Sequence, residues 1–408
     1  MPIETGSILK PKVPENEQRH RAGSAWTDRG VAWLVSGGPG GRTAAVHCHW
    51  RAIELLGQLP VGDNSDYLAD LATAWVNLGC ALLADDREGS IKEALGAFDR
   101  AIGFLECLPI DASPRFRHNL AAAWMNRAEA EGCIDTEAVG AGAARSYLRA
   151  IDIARGLPLD AKPSFRILLG SSWLNLGNLR QRQGDLLGAV QAYDCALSGL
   201  GELPESGHRL ARHHAATAWT NRAEALVCAG WGEAASQAAE SARRALEHVE
   251  GRELCGAVNA KLGVRALKAL ARGLEASLRA RGCIASSDRV AEITDVAERG
   301  LQLALGSRAS APEVFDPFIL WFFSFGGRAY GRYQPQFLAE FLGEVLQRSK
   351  AHACSGLESG LREIAGQAAA GALEGLGRGR IYVDGTRRTE LLLGAVADLR
   401  NASIQFNS

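Results

Sequence analysis

The chain has 408 residues, with 45 Lys and Arg against 46 Asp and Glu and a formal net charge of -1. Hydrophobic residues make up 47% and charged residues 22%, enough apolar surface for an extensive core, which excludes a disordered polypeptide. The near-zero charge gives no bulk attraction to nucleic acid or to an anionic membrane, so neither is an expected partner. Nine cysteines, scattered and with no CxxC pair, are expected to be reduced thiols of a cytoplasmic protein, not a disulfide framework. Only seven of the 45 cations are lysines, a bias expected of a GC-rich, bacterial-type genome.

Residues 1–22 are polar and contain prolines, and are expected to form a mobile tail. Met1-Pro2-Ile3-Glu4 lacks the charged start and apolar stretch of a signal peptide. From residue 23 to residue 250 the sequence repeats. Trp26, Trp75, Trp124, Trp173 and Trp219 are spaced 49, 49, 49 and 46 residues apart, and Leu59-Pro60, Leu108-Pro109, Leu157-Pro158 and Leu203-Pro204 keep the same step. Around each Trp the text also recurs, as Ala74-Trp75-Val76-Asn77-Leu78-Gly79 and Ser172-Trp173-Leu174-Asn175-Leu176-Gly177 show.

Each copy holds two helical patterns. In the third, the first runs from about Ser113 to Glu131 and the second carries Tyr147, Ala150, Ile151 and Ile153, after which Pro158 ends it. Ser65-Asp66 and Ser113-Pro114 read as helix starts, a capping side chain or a first-turn proline. A single helix–turn–helix hairpin cannot bury its apolar face, so the copies must stack.

These residues resemble the tetratricopeptide repeat family, which carries Trp, then Leu-Gly, a small Ala, an aromatic and another Ala. The fourth copy fits without a gap: Trp173, Leu176, Gly177, Ala189, Tyr193 and Ala196. The fifth fits in Trp219, Ala223, Leu226, Gly230, Ala235 and Ala242, and the second fits with a few extra residues in its turn. The period of 49 departs from the family's usual repeat of about 34. The resemblance implies an all-α solenoid of stacked hairpins that binds protein or peptide in a concave groove.

Residues 251–310 read as a degenerate sixth repeat, with Ala260-Lys261-Leu262-Gly263 mimicking the signature and a helix start at Ser286-Ser287-Asp288. Residues 311–408 are expected to be a helical C-terminal region, with helices near 335–350, 355–375 and 387–401. Phe315, Phe318, Trp321, Phe322 and Phe325 crowd together there, and two readings stand: a helix capping the apolar end of the solenoid, or an exposed surface for homo-oligomer assembly. This apolar run is too short and too interrupted to span a bilayer. The glycine-rich Gly375–Arg380 lacks the Gly-Lys-Ser/Thr ending of a phosphate loop.

The leading candidate site is the series Asn77, Asn126, Asn175 and Asn221, each two residues after a Trp, joined by Asn178 and Arg182. The family resemblance places this position on the groove, where an amide supplies donors and an acceptor to a partner's backbone. The alternative is that these amides bond neighbouring helices. Arg182 is the one basic groove candidate and Glu129 and Glu224 would repel a carboxylate, so a clamp for an acidic C-terminus is not expected. His213-His214 and His208 lack metal-ligand spacing, His47 and His49 read as ordinary helix residues, and Asp85-Asp86 and Glu88 as a solvated turn; no metal and no cofactor is expected. No GxSxG, HExxH, Walker or dinucleotide signature is present, so the expected role is a non-catalytic scaffold or adaptor. A self-associating structural subunit is the alternative, and a regulatory subunit of an enzyme the third.

Overall fold

The structure, a computed structural model, describes residues 14–38, 40–62, 64–84, 89–134, 137–201, 209–230, 233–249, 257–280, 287–333, 359–361 and 363–364. Among them are thirteen α-helices, one 3-10 turn and no strand. The helices are α1 (Glu15–Ser36), α2 (Gly41–Leu56), α3 (Ser65–Leu83), α4 (Ser90–Glu106), α5 (Pro114–Gly132), α6 (Glu137–Arg155) and α7 (Pro163–Arg182). They continue as α8 (Leu186–Leu200), α9 (Arg209–Ala229), α10 (Ala234–Val249), α11 (Ala257–Ala280), α12 (Ser287–Ser307) and α13 (Pro312–Tyr333). The all-α solenoid of helix–turn–helix hairpins expected from the repeat is therefore what the chain builds. Residues 1–13 of the expected tail, Leu203-Pro204, the Asp85-Asp86 turn with Glu88, His208, the stretches 335–350 and 387–401, most of 355–375 and the Gly375–Arg380 connection lie outside the described residues.

The chain divides into two compact units, Met1–Gln183 with Ser198–Leu203, and Gly184–Leu197 with Pro204–Ser408. In the first, α1 with α2, α3 with α4 and α5 with α6 pack along their length as hairpins, and α7 follows on α6. The first helix of each hairpin also packs on the first helix of the next, α1 on α3, α3 on α5 and α5 on α7, whereas α2, α4 and α6 make no comparable contacts with one another. The first helices thus form the inner layer of this unit. In the second unit α9 with α10 and α11 with α12 repeat the hairpin, and α13 packs on α12.

Local chemistry sets the helix starts. Asn64, one residue ahead of the expected start, caps α3: its Oδ1 accepts from the backbone N–H groups of Asp66 and Tyr67 at 2.9 and 3.3 Å. Ser113 caps α5 through the Arg115 N–H at 3.3 Å, with Pro114 in the first turn. The leucines of the described Leu-Pro pairs, Leu59, Leu108 and Leu157, are buried and tie each post-helix segment to the core. One boundary differs from expectation. Helix α1 begins at Glu15, inside the tail assigned to 1–22. The polar residues there form pairs: Arg19 with Glu15 at 2.8 Å, Arg21 with Glu17, and His20 Nε2 with Asp70 of α3 at 2.6 Å.

In the first two hairpins the two helices approach closely at the residue four places after the Trp. A methyl group on Gly79 would lie 2.5 Å from Phe98 Cε1, and one on Gly30 would run into the His49 ring. In the third copy the pair at these positions is Ala128 with Tyr147, both buried. The small residue lets an aromatic ring of the second helix lie against the backbone of the first.

A further pattern alternates. Copies one, three and five carry Arg three residues after the Trp, as Arg29, Arg127 and Arg222, where copies two and four carry Leu78 and Leu176. Arg127 Nε donates to Asp99 Oδ1 at 2.7 Å and its Nη1 to Ser146 Oγ at 2.9 Å. In the second unit Arg222 donates to Asp194 Oδ1 at 2.7 Å and to Ser241 Oγ at 2.6 Å. The same arginine also lies over the copy's Trp, with its guanidinium carbon 5.5 Å from the Trp124 centroid and 5.8 Å from that of Trp219. The third and fifth copies are thereby each tied to the Asp of the even copy before them and to their own second helix.

Two consequences are measurable. Gly79→Ala forces a methyl into the Phe98 ring and should cost about 1–3 kcal/mol in urea unfolding, with Gly79→Ala/Phe98→Leu recovering most of it. The second concerns His49, which is fully buried with neither ring nitrogen hydrogen-bonded. Burial lowers its pKa from 6.5 to about 4. Between those values the unfolded chain takes up a proton that the folded chain refuses. His49 therefore leaves stability intact above pH 6.5 and subtracts from it as pH falls through the window, by up to about 3 kcal/mol. His49→Phe supplies the ring that Phe98 provides in the next copy. It should raise stability at pH 7 by about 1–3 kcal/mol and flatten the loss between neutral and mildly acidic pH, read by urea midpoints at each pH.

Candidate functional site

The first-helix layer of the first unit carries the asparagine series, and the structure separates its members. Asn126 sits half-buried on α5 and its Nδ2 points at Cys80 Sγ of α3, 3.4 Å away. Burial first, and then Glu129, pushes the Cys80 thiol up to about 12, so it stands as a neutral partner. Two helix turns toward the N-terminus, Asn119 Nδ2 donates to Thr73 Oγ1 at 3.2 Å by the same step between copies. Arg115 bridges Asp66 and Asp70 beside His20, closing that end of the layer.

Asn77 and Asn175 differ from Asn126. Both are half-buried at the equivalent position, and neither side chain has a hydrogen-bond partner among the described residues. The step that takes Asn126 to Cys80 would take Asn77 to Val31, an aliphatic side chain 42% exposed, and Asn175 to the exposed Glu129. Asn178 is half-buried and already engaged. Arg182 is exposed, and its Nη1 donates to the carbonyl of Gly132 at 3.2 Å, satisfying a backbone oxygen at the end of α5. The set named from the sequence thus splits into two open amides, Asn77 and Asn175, and residues already engaged within the chain.

In the second unit Asn221 is buried and accepts from Arg265 Nη2 at 2.8 Å. Arg265 also grips Glu224 with Nε to Oε1 at 2.9 Å and Nη2 to Oε2 at 2.5 Å. Burial, then Glu224, raises the Tyr193 phenol, which also hydrogen-bonds Asn221. Asn221 is therefore part of a packed polar cluster joining α8, α9 and α11. Arg265 and Asn119 were missed in the sequence. Asn119 lay one helical face along from Asn126 in the same copy, a spacing that could have pointed to it.

The aromatic cluster on α13 is a correction to the assembly-surface expectation. Phe315, Phe322 and Phe325 are 0–1% exposed and belong to the core of the second unit, with Phe323 beside them. The reason is steric: Gly300 of α12 has no side chain where the Phe322 ring lies, so α13 docks tightly on α12. Phe318 and Trp321 are half-buried, and Lys268 lies 5.5 and 5.0 Å from their ring centroids. Trp321 stacks on Phe325 at 5.0 Å, and Arg272 lies 5.6 Å from its centroid. Phe315, Phe322 and Phe325 thus pack in the core of their own unit.

Among the described residues no helix is long and apolar enough to cross a membrane, and no group of His, Cys, Asp and Glu is placed to hold a metal ion. No known family model matches the sequence, and no curated protein does. Solved structures do align. The BtubC (BKLC) structure from P. vanneervenii is 15% identical, with 62% of this chain and 91% of that one covered and a TM-score of 0.43. A signal transduction ATPase with numerous domains and a tetratricopeptide repeat sensor, from Pyrococcus horikoshii, is 12% identical over 93% of this chain and 53% of its own, at 0.44. The S. pombe nuclear import adaptor Nro1 is 12% identical over 93% and 99%, at 0.35. At these scores none of them carries an argument about what this chain does. The class rests on the geometry: an α-solenoid of tandem helical hairpins.

If the rings of α13 are core, Phe322→Ala should cost about 3–5 kcal/mol and lower the melting temperature of the second unit. A variant that melts like the parent but changes its sedimentation coefficient would show instead an assembly role.

Proposed function

We propose that the chain is a tetratricopeptide-type, non-catalytic scaffold that holds an extended segment of a partner polypeptide against the first-helix layer of its first unit. The observation that carries this reading is the pair Asn77 and Asn175. Two half-buried amides without hydrogen-bond partners among the described residues, at the position where Asn126 bonds across to the preceding copy, are available to pair with a peptide backbone of any sequence. The face between them is mixed: Val76 and Met125 are half-buried, and Glu129 is exposed. That composition suits a neutral, partly apolar segment better than a carboxylate terminus. The reading assumes the cytoplasm, and the six described cysteines, all free, support a reducing compartment.

The test is capture from native lysate with the full chain and with Asn77→Ala/Asn175→Ala, followed by titration of the purified partner. The double variant should keep the parent's circular dichroism and melting temperature. Its affinity should fall about tenfold, as expected for two lost hydrogen bonds of about 0.5–1.5 kcal/mol each. Asn126→Ala should instead lower stability by breaking the contact to Cys80. An unchanged affinity in the double variant would remove the first-helix face from the interaction.

A further inference from the structure

A second site lies away from the first-helix face, at the seam between α6 and α7. A cavity of about 270 Å³ opens there, lined by Arg145, Leu148, Arg149, Asp152, Arg155 and Trp173. Several surface arginines of the chain are matched to carboxylates, as Arg117 is to Asp111, Arg166 to Asp160 and Arg244 to Glu240. None of Arg145, Arg149 and Arg155 has an ion pair among the described residues, although Asp152 stands between them. Two copies earlier the equivalent residues Arg51 and Glu54 do pair, at 2.5 Å. The Asp at 152 is one methylene shorter.

The same comparison explains the cavity. Leu148 stands where the first copy has Trp50, and Trp173 where the second has Trp75. In the earlier seam the Trp50 ring meets Trp75 edge-on, with centroids 5.4 Å apart. In the later seam Leu148, 44% exposed, is too small to make that contact, and the space over Trp173 is left open. Arg155 of α6, where the first copy has Gly57, lies 5.4 Å from the Trp173 centroid, whereas the cation over Trp75 is Arg100 of α4 at 4.7 Å.

We infer that this seam is a docking site for an acidic polypeptide segment bearing an aromatic side chain. The partner's ring takes the place over Trp173 that Trp50 takes over Trp75 within the chain itself. Flanking carboxylates meet Arg145, Arg149 and Arg155, whose planar guanidinium groups suit bidentate contact. The charge complementarity is net positive wall to acidic segment, and the aromatic pocket supplies the anchor.

The probe is a fluorescein-labelled peptide of sequence Glu-Glu-Trp-Glu-Glu, titrated with the full chain and read by fluorescence anisotropy. Saturable binding is expected, weakening as salt is raised. Leu148→Trp fills the cavity with the chain's own ring, as the first copy does, and should weaken binding about tenfold or more. Arg149→Ala/Arg155→Ala should do the same, and a peptide with Ala in place of Trp should bind about tenfold more weakly. Asn77→Ala/Asn175→Ala should bind the peptide as the parent does, which separates this site from the first-helix face. The inference is overturned if the parent shows no saturable binding up to millimolar protein. It is equally overturned if Leu148→Trp, shown folded by circular dichroism, binds undiminished, or if the Ala peptide binds as tightly. Should Leu148→Trp misfold, retained affinity in the double arginine variant has the same meaning.

Discussion

In the first copies the distance between the two helices of a hairpin is set by one contact, a ring from the second helix lying against the backbone of the first where Gly stands four residues after the Trp. Gly79 with Phe98 and Gly30 with His49 define that distance in the first two copies. Everything stacked above inherits it, because the Trp, the Leu of Leu-Pro and the layer of first helices all take their register from the hairpin. A close-packed interior transmits such a constraint instead of absorbing it. His49 shows how strongly the ring shape is demanded: the position accepts an imidazole with both nitrogens unbonded inside the core. It tolerates the desolvation of a polar ring where an apolar one of similar outline would do.

The repeat itself was legible. Trp spacing and Leu-Pro pairs, two markers in one phase, revealed the repeat, and the starts read at Ser65-Asp66 and Ser113-Pro114 fall within a residue or two of those of α3 and α5. The start of α1 was not legible, because a terminal helix covers only one neighbour and carries few apolar residues; Glu15 to Ala22 reads as a tail by composition alone. Its contacts are polar, and one of them, from His20 Nε2, reaches Asp70, a residue distant in sequence. The aromatic density of α13 was visible, but density does not distinguish a sealed core from an exposed patch. The deciding residue, Gly300, lies on another helix.

The candidate site was half legible for a related reason. Periodicity identified which residue type recurs at the position after the Trp, and all four asparagines do stand at equivalent places. What each amide does depends on the residue one copy away, and that residue changes: Cys80 accepts from Asn126, while Val31 has nothing to offer Asn77. Equivalence in sequence is therefore not equivalence in chemistry. The arginine alternation lay in plain view in the signatures, as Arg127 and Arg222 against Leu78 and Leu176, but its meaning required the paired aspartates Asp99 and Asp194.

That alternation makes two hairpins, not one, the unit of growth. An odd copy needs an Asp in the copy before it, and an even copy needs only an apolar side chain there, as Trp50 and Leu148 supply. Excising a single hairpin would set the Arg222 helix against Leu148 and strand a guanidinium without its carboxylate, whereas excising an even–odd pair would rejoin matching edges. Shortened or lengthened versions of such an array are thus expected to differ by pairs of hairpins, and a chimera spliced across an odd step would carry a mismatched seam into its core.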